Sequence, residues 1–220
     1  SILGHGGFGI TYLAEDLNLK IQVAIKEFMP NELAVRLEGS TVAPKSDGDQ
    51  DDFEWGRKRF VEEAQILARF RHPNIVRVSR IIREANGTAY IVMDYYEGEP
   101  LDAILSREAP LAQDQIYALL APLLDGLEAV HQADIVHRDI KPGNIYIRSD
   151  GPPVLLDFGA AREGLSRHSR SVSAMATAGY AAFEQYQSRG KQGPWTDIYG
   201  LGATLYRCVT GNRPPDATDR

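Results

Sequence analysis

The hydrophobic period changes near residue 100, and this change constrains the fold more than any other feature of the chain. Before it, apolar residues alternate in short runs over residues 10–14 and 21–28, and Asn86-Gly87 sits between two β-rich runs as a two-residue hairpin signal. One helical stretch interrupts them, residues 53–71, with Phe60, Ala64, Leu67 and Phe70 on one face. Beyond residue 100 helical spacing dominates. Residues 111–132 carry Ile116, Leu119, Leu120, Leu123, Leu127 and Val130, and Pro122 inside that run predicts a kink or an early end. Asp150-Gly151 separates short strands at 144–148 and 153–156, and residues 195–210 read as a buried helix through Ile198, Leu201, Leu205 and Val209. The polar stretch 29–52, with Pro30, Pro44 and acids from Asp47 to Asp52, reads as a surface insertion that tolerates disorder. The expected architecture is α+β: a small sheet-rich lobe at residues 1–93, a connection at 94–98, and a larger helical lobe at 99–220.

Charge narrows the choice of ligand. Lys and Arg total 24 against 30 Asp and Glu, a net −6, which points away from nucleic acid as a partner. Any anion must then be held by local groups. The single cysteine, Cys208, lies in an apolar helical run, is predicted to be buried, and excludes an internal disulfide. No run approaches the roughly 20 apolar residues of a membrane span, so a cytoplasmic location is expected for this segment. The chain reads as a piece of a longer protein, whose remainder has room for a membrane anchor.

Four clusters carry chemistry. Gly4-His5-Gly6-Gly7-Phe8-Gly9-Ile10 fits G-x-G-x-x-G with strand character on both sides, and glycines let backbone approach phosphate oxygens closely. By itself the loop also fits an ordinary glycine-rich hairpin, whereas the strand that follows argues against a dinucleotide fold. In Val23-Ala24-Ile25-Lys26, alternation puts Ala24, Lys26 and Phe28 on one face, as expected if Ala24 borders a base while the ammonium reaches phosphates. A solvated edge-strand lysine has the same pattern. Glu63 falls on the side of Phe60, Leu67 and Phe70, so it is the inward-facing acid of its helix and a candidate to position Lys26. The strongest signal is His137-Arg138-Asp139-Ile140-Lys141-Pro142-Gly143-Asn144, followed by Asp157-Phe158-Gly159. One aspartate can accept a hydroxyl proton there, while a second aspartate and an asparagine can ligate magnesium through oxygen.

In this order, the clusters resemble the eukaryotic-like protein kinases, in their bacterial Ser/Thr form, from Gly4 to the end of the chain. The resemblance implies a two-lobed kinase fold that transfers the γ-phosphate of ATP to Ser or Thr hydroxyls of proteins. It implies Asp139 as catalytic base, Lys141 on the transferred phosphate, Lys26 paired with Glu63, and Asn144 with Asp157 on Mg2+, or Mn2+ in its place. ATP would meet Gly4, Gly6, Gly9, Ile10, Ala24, Lys26, Met93, Asp94, Tyr96 and Tyr146, with Met93 and residues 94–96 as gatekeeper and hinge. Thr177 would position the substrate segment, Asp197 would brace the catalytic loop, and autophosphorylation within a homodimer is allowed. A phosphate on Ser171 or Ser173 would bind Arg138 and switch the enzyme on. There are departures. Phe183 in Ala182-Phe183-Glu184 replaces a proline, Tyr146 replaces a smaller residue under adenine, and Glu184 is expected without its usual arginine. A non-catalytic kinase-like module would lack the lysine or an aspartate. A small-molecule phosphotransferase would carry glycine in place of Arg138.

Overall fold

A computed structural model describes residues 1–158, 177–187 and 189–219. They form two compact units, one of residues 1–71 and 77–95, the other of residues 72–76 and from 96 onward.

The first unit is an antiparallel sheet in the order β1-β2-β3-β7-β6, built from Ile2–Gly6, Gly9–Asp16, Ile21–Phe28, Thr88–Asp94 and Val78–Ala85. The β6–β7 turn is Asn86-Gly87, both at positive φ (51° and 77°), as the two-residue hairpin signal requires. Helix α1, Gln50–Leu67, packs on β6 and β7. Phe28 at the end of β3 sits between Phe53 and Phe60 of that helix, with ring centroids 5.5 and 5.4 Å away. Because strand residues alternate, Ala24 and Lys26 share the sheet face of Phe28, the face covered by α1.

The stretch after β3 is ordered. Strands β4 (Ala34–Arg36) and β5 (Val42–Pro44) pair as a small hairpin, and the Val42 N–H donates to the Asn86 carbonyl at 2.7 Å. What looked like a polar insertion free to be disordered is held by backbone bonds at both ends.

The second unit has a three-stranded sheet, β10-β9-β8, from Val154–Leu155, Ile145–Arg148 and Gly98–Pro100, with helices α2 (Leu101–Glu108), α3 (Gln113–His131) and α4 (Pro194–Thr210). Leu101, Leu105, Leu123, Leu127, Ile145, Leu155, Leu201 and Cys208 make its core. Two expectations are corrected here: the early end at Pro122 does not occur, and the buried face of α4 includes Leu201 as expected but not Ile198 or Val209. Helix α3 runs through Pro122: the carbonyl left without a donor belongs to Ala118, which is exposed and can bond water, while buried Leu119, Leu123, Leu127 and Val130 fix the helix from its other side. In α4, Ile198 and Val209 are 49% and 58% exposed, whereas small residues including Gly200, Ala203 and Thr204 are buried. A Cβ at Gly200 would lie 2.8 Å from the Ile140 carbonyl oxygen, so close approach selects small residues on that face. Cys208 is fully buried as predicted, and burial pushes its thiol up to about 11.

Candidate active site

In the first unit, the glycine motif forms the β1–β2 hairpin, with Gly6 paired to Gly9 and Gly9 paired to Phe28. Its glycines are not equivalent. A Cβ on Gly9 would run into the Glu27 carbonyl oxygen, so the sheet itself demands glycine there. Gly4 and Gly7 have open space around the missing Cβ, and at Gly6 the nearest atom is 3.8 Å away. Those positions can admit a ligand against bare backbone. Ile10 follows Gly9 on β2; Ala24 pairs with Met93 and Val23 with Asp94 across β3 and β7, and Lys26 lies beside Thr11 and Ile91. Ala24 and Met93 are buried and Lys26 is half-buried. Glu63 is half-buried on α1, next to buried Phe60, Ala64 and Leu67.

A carboxylate that sequence reading passed over lies on the opposite face of β3. Glu27 is 1% exposed and accepts from the Arg36 guanidinium, from Tyr12 Oη at 2.8 Å and from Tyr90 Oη at 2.8 Å. Burial alone would raise its pKa, but the bonds from Arg36, Tyr90 and Tyr12 outweigh burial and hold it below the ordinary carboxylate value.

In the second unit, the catalytic-loop candidates converge. Asp139, buried, accepts from Lys141 Nζ at 3.0 Å and Asn144 Nδ2 at 2.6 Å on Oδ2, and from Thr177 Oγ1 at 2.9 Å on Oδ1. Lys141 Nζ also donates to Thr177 Oγ1 at 3.2 Å. Asn144 turns its amide nitrogen to the Asp139 carbonyl as well, at 2.8 Å, which leaves Oδ1 available as an oxygen ligand. Asp157 follows β10 with φ 51°, a left-handed conformation that aspartate and asparagine adopt more readily than other non-glycine residues. Next to it, the Phe158 ring lies 4.3 Å from the His137 ring. Tyr146 on β9 donates to the Gly98 carbonyl at 2.8 Å, and the Arg148 guanidinium lies over the Tyr96 ring.

A buried brace holds this loop. Asp197, near the start of α4, accepts from the N–H groups of His137 (2.8 Å) and Arg138 (2.7 Å) and makes a 2.7 Å bond with His131 Nε2. Gln185 Nε2 donates to the Arg138 carbonyl at 2.8 Å, and its Oε1 accepts from the Ala182 N–H at 2.9 Å. Arg138, at φ 67°, is thus fixed at both its N–H and its carbonyl. Asp197 was legible in the sequence; His131 and Gln185 were not, since a lone His or Gln carries no spacing signal. Glu184 accepts from Thr196 Oγ1 at 2.6 Å. Phe183, where the motif carries proline, is 54% exposed. Ser171 and Ser173 lie outside the described residues.

His137 gives the site a pH dependence. Its Nδ1 accepts from the Asp139 N–H at 3.3 Å, so Nε2 carries the proton and donates to the Leu156 carbonyl at 2.8 Å. Burial holds the imidazole below its ordinary value, against the pull of Asp197 and Asp139. The unfolded chain therefore binds more protons below about pH 6.5, and stability is lost as pH falls through that value. The thermal midpoint should drop between about pH 7.5 and 5.5. In a His137→Phe variant, which keeps a ring beside Phe158, that part of the drop should be missing.

The chain matches the protein kinase domain family over residues 1–220 and belongs to it. It is 31% identical to the serine/threonine-protein kinase PknK of Mycobacterium tuberculosis over 96% of this chain and 17% of that protein. It is 32% identical to the serine/threonine-protein kinase PknA of Nostoc over 97% of this chain and 37% of that protein. The chain thus spans well under half the length of these relatives. Among solved structures, the apo form of PpkA-294 superposes with a TM-score of 0.91 at 39% identity, covering 100% of this chain and 77% of that one. The fold is the protein kinase fold.

Proposed function

We propose that this domain transfers the γ-phosphate of ATP to Ser or Thr hydroxyls of proteins. The observation that carries this reading is the hydrogen-bonded set of Asp139, Lys141, Asn144 and Thr177, which puts a proton acceptor, a cation and a hydroxyl within one bond of each other. Asp139 Oδ1 takes the proton of the attacking hydroxyl as the new O–P bond forms and the bond from the γ-phosphorus to the bridging oxygen breaks. The Thr177 hydroxyl, already donating to Oδ1, marks where such a donor sits. Lys141 places positive charge beside the reacting oxygens. Lys26 and the glycine hairpin take the phosphates, with Glu63 orienting Lys26; Ile10, Ala24, Met93, Asp94, Tyr96 and Tyr146 take the base, and residues 94–98 serve as the hinge.

The oxygen donors Asn144 Oδ1 and Asp157 suit a hard divalent cation. Among the described residues, no three His, Cys, Asp or Glu side chains gather as a protein-only metal cage. Mg2+ is commonly held by one or two carboxylates plus substrate phosphates. When bound, the ion supplies charge that neutralises the phosphate oxygens. No helix among the described residues is long and apolar enough to cross a membrane.

The test is incubation of the protein with γ-labelled ATP, Mg2+ and a Ser/Thr peptide library. Label is expected on Ser and Thr, is abolished by a chelator, and falls at least about tenfold in Lys26→Met. The same incubation followed by mass spectrometry reads autophosphorylation at Ser171 and Ser173. A wild-type protein that binds ATP but transfers no label would overturn the reading in favour of a non-catalytic nucleotide-binding module.

A further inference from the structure

The segment between β3 and α1 does more than cover the sheet. Its first residues are bonded to the tip of the glycine hairpin: the Met29 N–H donates to the Phe8 carbonyl at 3.1 Å, and the Asn31 N–H to the Gly7 carbonyl at 3.2 Å. Lys45 closes the segment on itself, its Nζ donating to the Asn31 carbonyl at 2.6 Å and its N–H to the Leu33 carbonyl at 2.9 Å. Arg36, on β4, then locks the hairpin to the sheet, with its guanidinium on Glu27, on Met29 Sδ at 3.3 Å and on the Ser40 carbonyl at 3.1 Å. A chain of direct bonds therefore runs from a buried carboxylate on β3 to the glycine turn.

The direction of these bonds matters. A trans peptide holds its C=O and the next N–H antiparallel. With the Gly7 carbonyl aimed at Asn31, the Phe8 N–H points away from the inserted segment. A glycine-rich turn left alone would sample many orientations of that amide, at an entropic cost on ligand binding.

We propose that residues 29–45 are a brace that presets the glycine turn for phosphate, with Asn31 and Arg36 as positioning residues that touch no substrate. This rests on the reading that the turn receives ATP phosphates. Asn31 allows a narrow test. It occupies the second position of a turn in which the Leu33 N–H donates to the Pro30 carbonyl at 3.0 Å, a position where proline is favoured. Asn31→Pro deletes the N–H given to Gly7 and suits the turn; Asn31→Ala keeps that N–H.

Hydrogen exchange of the peptide spanning residues 5–9, the Kd for Mg·ATP and kcat would be measured in wild type, Asn31→Pro, Asn31→Ala and Arg36→Met. In Asn31→Pro, exchange and Kd should both rise about 2- to 12-fold, the equilibrium equivalent of one net hydrogen bond, while kcat stays within about twofold. Arg36→Met, which acts from the far end of the brace, should move both in the same direction and decides the outcome should the proline variant fold poorly. Asn31→Ala should match wild type. Unchanged exchange in both Asn31→Pro and Arg36→Met, or faster exchange with unchanged Kd, overturns the positioning role. If wild type fails to bind Mg·ATP, the phosphate reading falls, and the exchange data still decide whether the tether exists.

Discussion

Asp139→Asn is expected to lower kcat by about 10²- to 10⁴-fold, the usual cost of removing a general base, with nucleotide affinity nearly unchanged. The hydrogen-bond pattern explains why the loss should be chemical and not structural. An asparagine oxygen can take the place of Oδ2, where Lys141 and Asn144 donate, and its NH2 then faces Thr177 Oγ1, a hydroxyl able to accept as readily as donate. The loop keeps its bonds and loses only the atom that could hold the substrate's proton. Single-turnover kinetics beside equilibrium titration with Mg·ATP separates the two effects. A kcat within about threefold of wild type would show that another group takes the proton.

Asp197→Asn should be costly in a different way. Its carboxylate serves two consecutive backbone N–H groups and His131, and is itself 1% exposed. Whichever way an amide is turned, its NH2 confronts a donor, so at least one buried N–H loses its acceptor at about 1–3 kcal/mol. With the NH2 in place of Oδ1, the orientation that sacrifices one bond and not those of His137 and His131 together, it is Arg138 that loses one of the two bonds holding it at φ 67°. The thermal midpoint should fall by about 2–12 °C for a chain of this size. Because the loop carries Asp139, a shift of about 1 Å there should cost kcat on the order of 10²-fold. Differential scanning calorimetry and steady-state kinetics on one preparation test both parts. A variant with a wild-type midpoint and wild-type kcat would show that the brace is redundant.

Much of this was legible in the residues because phosphotransfer needs particular side chains at short, fixed separations. Asp139, Lys141 and Asn144 lie close together in sequence, and Thr177, far along the chain and expected to position the substrate segment, bonds to Asp139 and Lys141. The strands and helices followed from period. What escaped was whatever is encoded in pairs of distant residues or in smallness. The hairpin at 34–44 has strands of three residues, too short for alternation to register, and its anchor is a charge pair that no local pattern announces. The buried face of α4 carries glycine, alanine and threonine beside Leu201 and Cys208, so counting large apolar residues found Leu201, wrongly added Ile198 and Val209, and missed the small residues between.

Strand β3 places two opposite charges side by side, Lys26 on one face and Glu27 on the other, and this has a consequence for assembly of the sheet. A strand shifted by one residue against its neighbours turns every side chain to the opposite face. Such a slip would carry Glu27 away from Tyr12, Tyr90 and Arg36 and bring an ammonium to a place furnished with two hydroxyls and a guanidinium. The misaligned sheet would hold two like charges together and strand a carboxylate among the aromatic rings of α1, at a cost of several kcal/mol. The same carboxylate that anchors the hairpin therefore acts as a register key, admitting one alignment of the central strand and rejecting its nearest competitor during folding.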